Sequence, residues 1–374
     1  MRKKRALFFC FILILLTTTG CWDTQLLTTK KIVNGVSLDV AKDNQISGTV
    51  RAIILESKGG GQFDVKDELM QATGKTVFEL GLSIDSMLPG TVEATKTHVI
   101  ILGEELAKKG IMTPLEFFYR IPRSYLITNV LISTGLASDV LSFDKIETNP
   151  TAFGIKQMLD GAVRATVVHE QSLYSIWTQI FDPGVDTVIP MISKVKNKAL
   201  IIDSSGLMDG DKFTGVTLPR DDSTLLLLLQ DKLDKHAFMD IPIQQDSGQE
   251  TTKLSLDVRK LKRAFDVSVD PITREIECSI QLDLYGMISS YPANMGHKID
   301  REKLSKTLSE TLNKQAVRVT HTLLEANCDA LGIGRQLRVH HNKLWNNMIW
   351  KDEYKNVKFK TNVQIHITST GIIN

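Results

Sequence analysis

The sequence has little net charge, few cysteines and no apolar run long enough to span a membrane. Its 374 residues include 45 Lys and Arg against 43 Asp and Glu, which leaves a formal net charge of +2. A protein that binds nucleic acid needs a larger and clustered excess of basic residues, so we expect no nucleic-acid partner. Four cysteines in a chain of this length are too few for a disulfide-rich scaffold.

The sequence also lacks the local motifs of the common enzyme classes. It contains no G-x-S-x-G, no H-E-x-x-H and no C-x-x-C. Gly74-Lys75-Thr76 matches the end of the phosphate-binding pattern G-x-x-x-x-G-K-[ST], but Leu69 stands where its first glycine belongs, so we interpret the segment as a helix start. His340-His341 have no third ligand nearby, and His98 lies in an apolar strand. We therefore expect no catalytic residue, no metal site and no cofactor.

The first twenty residues differ from the rest of the chain. Arg2–Arg5 are basic, Ala6–Leu16 are apolar and Thr17–Gly20 are small, a pattern typical of a secretory signal peptide. The apolar run is shorter than the roughly 20 residues that a membrane-spanning helix needs. Without the four basic residues of this leader, acidic residues outnumber basic ones, so the positive excess belongs to the leader alone.

The residue that follows the leader is Cys21. Thr18-Thr19-Gly20-Cys21 resembles a bacterial lipobox, in which the cysteine receives S-diacylglyceryl and N-acyl groups and the peptide is cut before it. We predict Cys21 as the lipid attachment site, which would bind membrane lipid through acyl chains worth ~0.8 kcal/mol per buried CH₂. The alternative is that cleavage releases a soluble protein.

Two further cysteines would remain as ordinary thiols after processing. Cys278 lies in a run that alternates apolar and polar residues, and Cys328 continues a helical stripe with Val317, His321 and Leu324. Both are therefore expected in a core as free thiols. A disulfide between them would require Cα atoms within roughly 7 Å, which the sequence does not give, so their pairing stays open.

Hydrophobic periodicity predicts a mixed α/β N-terminal domain over residues 21–196. A hairpin is predicted over 32–57, a helix over 76–87 and strands over 96–102 and 125–134. The composition of 42% hydrophobic and 24% charged residues, in a chain longer than one core usually organises, is typical of two or three domains.

A small middle α+β domain is predicted over residues 197–252. It contains a hairpin over 199–217 and a helix through Leu225–Leu229, for which Asp222 or Ser223 is the expected N-cap.

A C-terminal α+β domain is predicted over residues 253–374. Alternating strands over 254–270 and 275–289 form a hairpin, a helix covers 299–331 and a last strand 357–368. The predicted fold class is therefore α+β and multi-domain, with mixed and antiparallel sheets packed by helices. The C-terminal domain is expected to be an antiparallel sheet backed by one long helix.

The residues around Cys21 also carry a family resemblance. Cys21-Trp22-Asp23, a lipobox cysteine followed at once by Trp-Asp, is similar to the start of the Ger(x)C spore germination lipoproteins. Further motifs resemble that family in the same order along the chain, namely His98–Glu104, Ser205-Gly206, Phe213–Gly215, Cys328–Gly334 and Leu344-Trp345.

The resemblance implies a non-enzymatic lipoprotein held by Cys21 on the outer face of the spore's inner membrane. It implies two polytopic partners, an A-type subunit and a permease-like B-type subunit, which with this chain form a germinant receptor that responds to nutrients. Whether this chain binds a nutrient itself stays open.

Two other functional classes compete with this interpretation. An extracytoplasmic solute-binding lipoprotein would have two similar doubly wound α/β lobes with a nutrient between them. A cell-envelope hydrolase would need catalytic groups that converge from distant segments.

Overall fold

The computed structural model describes residues 30–60, 62–87, 91–121, 124–144, 146–195, 199–244, 251–290 and 300–370. The predicted signal peptide, residues 1–20, and Cys21 lie outside these ranges. Within the described ranges, no helix combines the length and the apolar character needed to cross a membrane.

A nine-stranded mixed sheet forms the first part of the fold. Its order is β3-β2-β1-β5-β6-β7-β8-β9, with the short β4 also paired to β1. Neighbours among β1, β5, β6 and β7 are parallel, and antiparallel hairpins extend the sheet on both sides, which confirms the predicted opening hairpin. The strands are β1 (Lys30–Val40), β2 (Ile46–Gly59), β3 (Gln62–Gly74), β4 (Thr91–Glu93), β5 (Val99–Gly103), β6 (Asn129–Ser133), β7 (Val188–Val195), β8 (Ala199–Asp209) and β9 (Lys212–Leu218).

Helices cover both faces of this sheet. Ile100 and Leu102 of β5 pack on one face with α1, α2, α3 and α6, which are Val77–Met87, Glu104–Lys109, Met112–Arg120 and Leu173–Ile180. Val99 and Ile101 pack on the other face with α4 and α5, which are Ala137–Leu141 and Thr151–Arg164. A parallel strand that is buried on both faces is a continuous apolar run, as the sequence of β5 is.

A four-stranded sheet forms the second part. Its order is β10-β11-β12-β13, and the strands are β10 (Ala237–Gln244), β11 (Thr251–Val269), β12 (Ile276–Ser290) and β13 (Lys358–Ser369). The predicted β11–β12 hairpin is confirmed, and Asp270 closes its turn by accepting hydrogen bonds from the backbone N–H groups of Ile272 and Thr273. The long helix α8 (Arg301–Glu325) packs on one face and begins at its N-cap, Asp300.

The last strand corrects the prediction of a wholly antiparallel C-terminal sheet. β13 pairs with β12 in parallel, with Glu277 opposite Lys358. A parallel neighbour requires a long crossover, and α8 with the short helices α9 (Ile333–His340), α10 (Asn342–Trp345) and α11 (Trp350–Glu353) supplies it. The α+β fold class with mixed and antiparallel sheets is confirmed.

One helix between the sheets joins their cores. All residues from Ser223 to Leu229 in α7 (Arg220–Leu229) are buried. Four of its leucines belong to a cluster that includes Val188 of the first sheet and Leu282 of the second, namely Leu225, Leu226, Leu228 and Leu229. A helix that is apolar all round must be covered all round, which explains the five consecutive leucines.

The start of α7 differs from the prediction. The helix follows Pro219, and neither Asp222 nor Ser223 caps it. Ser223 donates to the backbone carbonyl of Val167, and Asp222 accepts a hydrogen bond from Gln315 of α8. Both side chains therefore tie α7 to its neighbours.

The structure distributes residues 197–252 differently from the predicted three-domain division. β8 and β9 complete the nine-stranded sheet, whereas β10 is an edge strand of the four-stranded sheet. The described parts of the predicted middle domain are therefore shared between two larger units. The predicted boundary near 196 falls between two paired strands of one sheet, since Val195 of β7 pairs with Ala199 of β8.

Candidate functional site

Charged side chains from both sheets meet where the sheets join. Asp186 precedes β7, Asp209 ends β8, and Lys351 lies on α11. The Lys351 ammonium lies 2.8 and 2.9 Å from the two carboxylate oxygens of Asp186 and also donates to Asp209. Burial opposes protonation of Lys351, but these two carboxylates raise its pKa. Lys351 is therefore charged and links the crossover of the second sheet to two strands of the first.

The backbone adds a reciprocal pair of hydrogen bonds at the same place. Asp186 N–H donates to the carbonyl oxygen of Asp329 at 2.9 Å, and Asp329 N–H donates to Asp186 Oδ2 at 2.8 Å. Gly210 N–H donates to Asp186 Oδ1 at 2.9 Å. Both carboxylate oxygens of Asp186 are thus engaged in joining the two parts of the fold.

Asp329 is the most buried acid of the junction, with 1% of its surface exposed. Its carboxylate accepts from the N–H groups of Ile333 and Gly334 and from Trp350 Nε1, at 2.8–3.0 Å. Burial raises the pKa of Asp329 to about 7, against the opposing effect of the backbone hydrogen bonds. The first residues of α9 and the indole of α11 are therefore held together by hydrogen bonds to one carboxylate, that of Asp329.

Two glycines let the chain segments of the junction touch. A Cβ atom on Gly334 would lie 2.5 Å from Trp350 Nε1 and 2.6 Å from the Cα of Gly184. Gly184 has a φ of 90°, and its carbonyl accepts a hydrogen bond from Arg335 N–H at 2.9 Å. The motif Cys328–Gly334 therefore has a structural role, which is to let the two parts of the fold approach closely. Any side chain at position 334 would push them apart.

Both remaining cysteines are buried as free thiols, which confirms that expectation. Burial raises the pKa of Cys278 to about 12, and burial also raises the pKa of Cys328 well above its usual value. The helical stripe used to predict the burial of Cys328 was wrong, because α8 ends before it and Val317 is 60% exposed. Cys328 is buried because it lies in the junction, where its carbonyl oxygen accepts from the Tyr354 hydroxyl at 2.8 Å.

The arrangement at the junction serves to hold two sheets in one orientation. The carboxylates there are engaged by a lysine, an indole and backbone N–H groups, and the Cys328 thiol is buried and protonated. A nucleophile needs the opposite, namely access and a lowered pKa.

An apolar groove lies on the first sheet, between α1 and α3. Its volume is about 390 Å³, and Phe78, Leu82 and Phe117 line it above Val36 and Val50 of the sheet. Phe78 and Leu82 lie one helical turn apart on α1 and are 59% and 57% exposed. Large apolar side chains exposed together beside a cavity are typical of a surface that another apolar group covers.

The groove is close to the point where the described chain begins. β4 pairs in parallel with the first residues of β1, so that Lys30 lies opposite Thr91. Val92 N–H of β4 donates to Asp85 Oδ1 of α1 at 3.1 Å. The exposed face of α1 and the start of β1 therefore lie in the same part of the molecule.

The residues that the sequence singled out for chemistry have structural roles. Thr76 Oγ1 accepts from Glu79 N–H at 3.1 Å and so starts α1, which confirms the prediction for Gly74-Lys75-Thr76. The His98 ring packs edge to face on Phe153 with centroids 5.7 Å apart, and burial lowers its pKa. His340 ends α9 and is exposed. Among the residues that the structure describes, no three metal-ligating side chains form a group.

Cys21 lies outside the described residues, so its predicted acylation stays a prediction. Sequence reasoning missed Asp186, Asp209 and Lys351, because single residues from separate segments converge there without a local motif. The one available signal was the motif Cys328–Gly334, which contains Asp329 and two glycines.

Two models of protein families match the chain. One is described as the spore germination protein N-terminal domain and matches residues 23–194. The other is described as spore germination B3/GerAC like, C-terminal, and matches residues 203–371. The residues of the junction between the sheets lie within the matched residues.

Similar proteins match over nearly their whole length. Spore germination protein GerQC of Bacillus cereus is 21% identical over 370 residues, which are 99% of each chain. The putative spore germination protein YfkR of Bacillus subtilis (strain 168) is 21% identical over 391 residues, 99% of this chain and 98% of that protein. The crystal structure of the GerBC protein is 16% identical and shares the fold, with a TM-score of 0.58 over 92% of this chain and 100% of that one.

Proposed function

Since the chain belongs to the GerAC-like family of spore germination proteins, whose two domain models together span residues 23–371, we propose that it is a lipid-anchored receptor subunit. In this role it assembles with an A-type and a permease-like B-type subunit and is required for nutrient-triggered germination. The observation that carries the proposal is the match of the two family models over residues 23–194 and 203–371.

The proposed anchor is Cys21, on the outer face of the spore's inner membrane. Lys30, the first described residue of β1, follows Cys21 by only nine positions in the chain. A fully extended chain of nine residues reaches about 30 Å. An acylated Cys21 would therefore hold the start of β1 within about that distance of the bilayer surface.

The apolar groove between α1 and α3 is the proposed contact with a polytopic subunit. The short reach of the anchor keeps α1, which is tied to β4 and β1, near the surface where such a subunit emerges. Tethering raises the effective concentration of the two surfaces, so a contact of modest area is sufficient. The proposed occupant is an apolar segment of that subunit, because Asp85 is the only charged residue that lines the groove within the described part of the chain.

The proposal includes no catalysis. The acids of the junction are engaged in joining the sheets, and the two described cysteines are buried with raised pKa values. A solute-binding lipoprotein with two similar doubly wound lobes is disfavoured, because a nine-stranded mixed sheet and a four-stranded sheet are not similar lobes.

The anchor is tested by Cys21→Ala in the full chain expressed in a sporulating host. We expect the variant to lose label from a radioactive or clickable fatty acid and to leave the membrane fraction. Cys278→Ala is the matched control, because it removes a thiol that is buried, and it should keep both label and fractionation. Membrane retention of Cys21→Ala without label would contradict the anchor.

The groove is tested by Leu82→Glu, which places a charge on the exposed face of α1. The proposed A-type and B-type subunits should no longer co-purify with the variant from detergent-solubilised membranes, while acylation stays intact. Val317→Glu, on an equally exposed site of α8, should still co-purify. Unchanged co-purification of Leu82→Glu would exclude the groove as the contact and leave the anchor untouched.

A further inference from the structure

A second cavity lies in the cleft between the two parts of the fold, beside the junction. Its volume is about 280 Å³, and both sheets contribute to its lining. Three cationic side chains line it: Lys232 from the loop after α7, Arg263 from β11 and Arg335 from α9. The cavity is large enough for a small organic or inorganic ion and for several waters.

The positive charge of this cleft is not balanced by the carboxylates around it. Asp182 serves two guanidinium groups, since Arg335 and Arg338 each lie 2.7 Å from it. Among the described residues, no carboxylate oxygen lies within ion-pair distance of Lys232 or Arg263. Asp186 lines the cavity too, but both of its oxygens are engaged at the junction.

The surroundings of the two unpaired cations disfavour their charge. Partial burial of the Lys232 ammonium and the charge of Arg335 lower the pKa of Lys232, although the residue as a whole is exposed to solvent. Burial lowers the pKa of Arg263 against a smaller opposing effect of Asp231. The Arg263 guanidinium stacks on the ring of Phe265 at 4.1 Å, and its Nε atom is buried without a hydrogen-bond partner among the described residues.

A buried histidine of the same lining has one unused nitrogen. His169 is 3% exposed, and its Nε2 lies 2.6 Å from Gln230 Oε1. Gln230 Nε2 donates to the carbonyl of Ala330 at 2.7 Å, which orients the amide so that Oε1 accepts a hydrogen bond from His169 Nε2–H. Burial, with a smaller contribution from the charge of Lys232, lowers the pKa of His169 to about 3 against the opposing hydrogen bond to Gln230, so the ring is neutral. Nδ1 is then an acceptor, and it has no partner among the described residues.

We propose that this cleft binds a small soluble anion with a carboxylate or phosphate group, held by Lys232 and Arg263 with Arg335 beside them. The anion supplies the negative charge that the cleft lacks and accepts from Arg263 Nε. A hydroxyl or N–H group on the same ligand donates to His169 Nδ1. Because its lining comes from both sheets, the bound anion stabilises one orientation of the two parts. This site goes beyond the proposed anchor and partner contact and depends on neither.

The test is calorimetric titration of the full chain in detergent with sodium phosphate and with sodium lactate, each against sodium chloride at equal ionic strength. Both probes carry an anionic group and a hydroxyl donor at neutral pH. We expect saturable binding of one site for at least one of them, and the stronger of the two identifies the acid group. Absence of binding beyond that of chloride for both probes would overturn the proposal.

The site is located with variants that remove one cation each. Arg263→Gln and Lys232→Gln should each weaken binding by about tenfold or more, because each removes a charge-assisted hydrogen bond. Lys262→Gln is the matched control: it is the next residue on β11, its ammonium lies 5.8 Å from the Tyr285 ring, outside the cleft, and its affinity should be unchanged. Equal affinity in Arg263→Gln and Lys262→Gln would also overturn the proposal.

Folding of the variants is checked by thermal unfolding in chloride alone. Arg263→Gln and Lys232→Gln remove unbalanced positive charge, so neither should unfold at a lower temperature than the unchanged chain. If Arg263→Gln unfolds at a lower temperature than the unchanged chain, its loss of affinity does not count, and the affinity of Lys232→Gln, a variant on a loop, tests the proposal instead.

Discussion

The two sheets of this protein bury their strands in different ways. Every residue of β5 in the first sheet is buried, with successive side chains in separate clusters on opposite faces. On β12 of the second sheet, Cys278, Ile280 and Leu282 are buried, whereas the residues between them are at least partly accessible. One sheet has helices on both faces and the other has them on one.

This difference in burial explains why the structure of one half of the chain is easier to predict from its sequence than that of the other. Alternation of apolar and polar residues predicts both the strand and the face that is covered, as in β11 and β12. A strand covered on both faces has no alternation, so its sequence predicts burial but not which neighbours cover it. The second sheet could therefore be predicted in more detail than the first.

The largest expected effect tests whether β5 is a core strand on both faces and β12 on only one. Ile100→Ala and Ile101→Ala, on opposite faces of β5, should each lower the free energy of unfolding by about 2–5 kcal/mol, because both leave cavities. On β12 only the inward residue should matter. Ile280→Ala should lower the free energy of unfolding by a similar amount, whereas Ser279→Ala, on the accessible face, should change it by no more than about 0.5 kcal/mol. Urea unfolding of the four variants measures this. A β5 variant that unfolds like the unchanged chain would show that one face of the first sheet is not a core.

The next effect concerns the junction that joins the sheets. The pKa of Asp329 is about 7 in the folded chain against an ordinary value of 3.8, because burial disfavours its charge. Its protonated form therefore contributes stability that is present below about pH 4 and is lost as the pH rises through about 7. The slope is at most about 1.4 kcal/mol per pH unit.

Asp329→Asn removes this titration. The stability of the unchanged chain relative to the variant should therefore fall between pH 4 and pH 7, as measured by urea unfolding at each pH. Asp352→Asn, at an exposed site of α11, is the control for loss of a negative charge near the junction. A relative stability of Asp329→Asn that is constant over this range would show that Asp329 stays ionised in the fold.

The fold class and most elements could be predicted from local sequence. The hairpin of β11 and β12, the long helix α8 and the helix start at Thr76 follow from periodicity and capping. The parallel pairing of β13 could not be predicted, because strand direction depends on a crossover over residues 291–357 and not on the strand itself. The assignment of β8 and β9 to the first sheet is also a matter of pairing partners, which periodicity does not specify.

Much less of the candidate sites could be predicted. The anion cleft combines Lys232, Arg263 and His169 from three separate segments, and none of them has a neighbour in sequence that signals its role. The apolar groove could not be predicted from the helix over 76–87, because its exposed residues Phe78 and Leu82 are of the same apolar type as its core residues. Exposure of an apolar side chain depends on what packs over it, and that is decided by tertiary structure.

The smallest expected effect compares one kind of contact, a cross-strand ion pair, on the two sheets. Arg51 of β2 pairs with Asp67 of β3 at 2.9 Å, with side chains 7% and 17% exposed, and Arg51 also donates to the carbonyl of Leu141. Lys360 of β13 pairs with Glu277 of β12 at 2.8 Å, with side chains 69% and 32% exposed. Dissolved salt screens the exposed pair Lys360–Glu277 but screens the nearly buried pair Arg51–Asp67 much less.

Glu277→Gln should therefore cost about 0.2–1 kcal/mol at low salt and nearly nothing at 1 M salt. Asp67→Asn should cost more at both salt concentrations, because it leaves a nearly buried guanidinium without its carboxylate. Urea unfolding of both variants at low and high salt gives the four values. If the two variants respond equally to salt, the accessible face of the second sheet is covered in solution, and the difference between the sheets is smaller than their strand burial indicates.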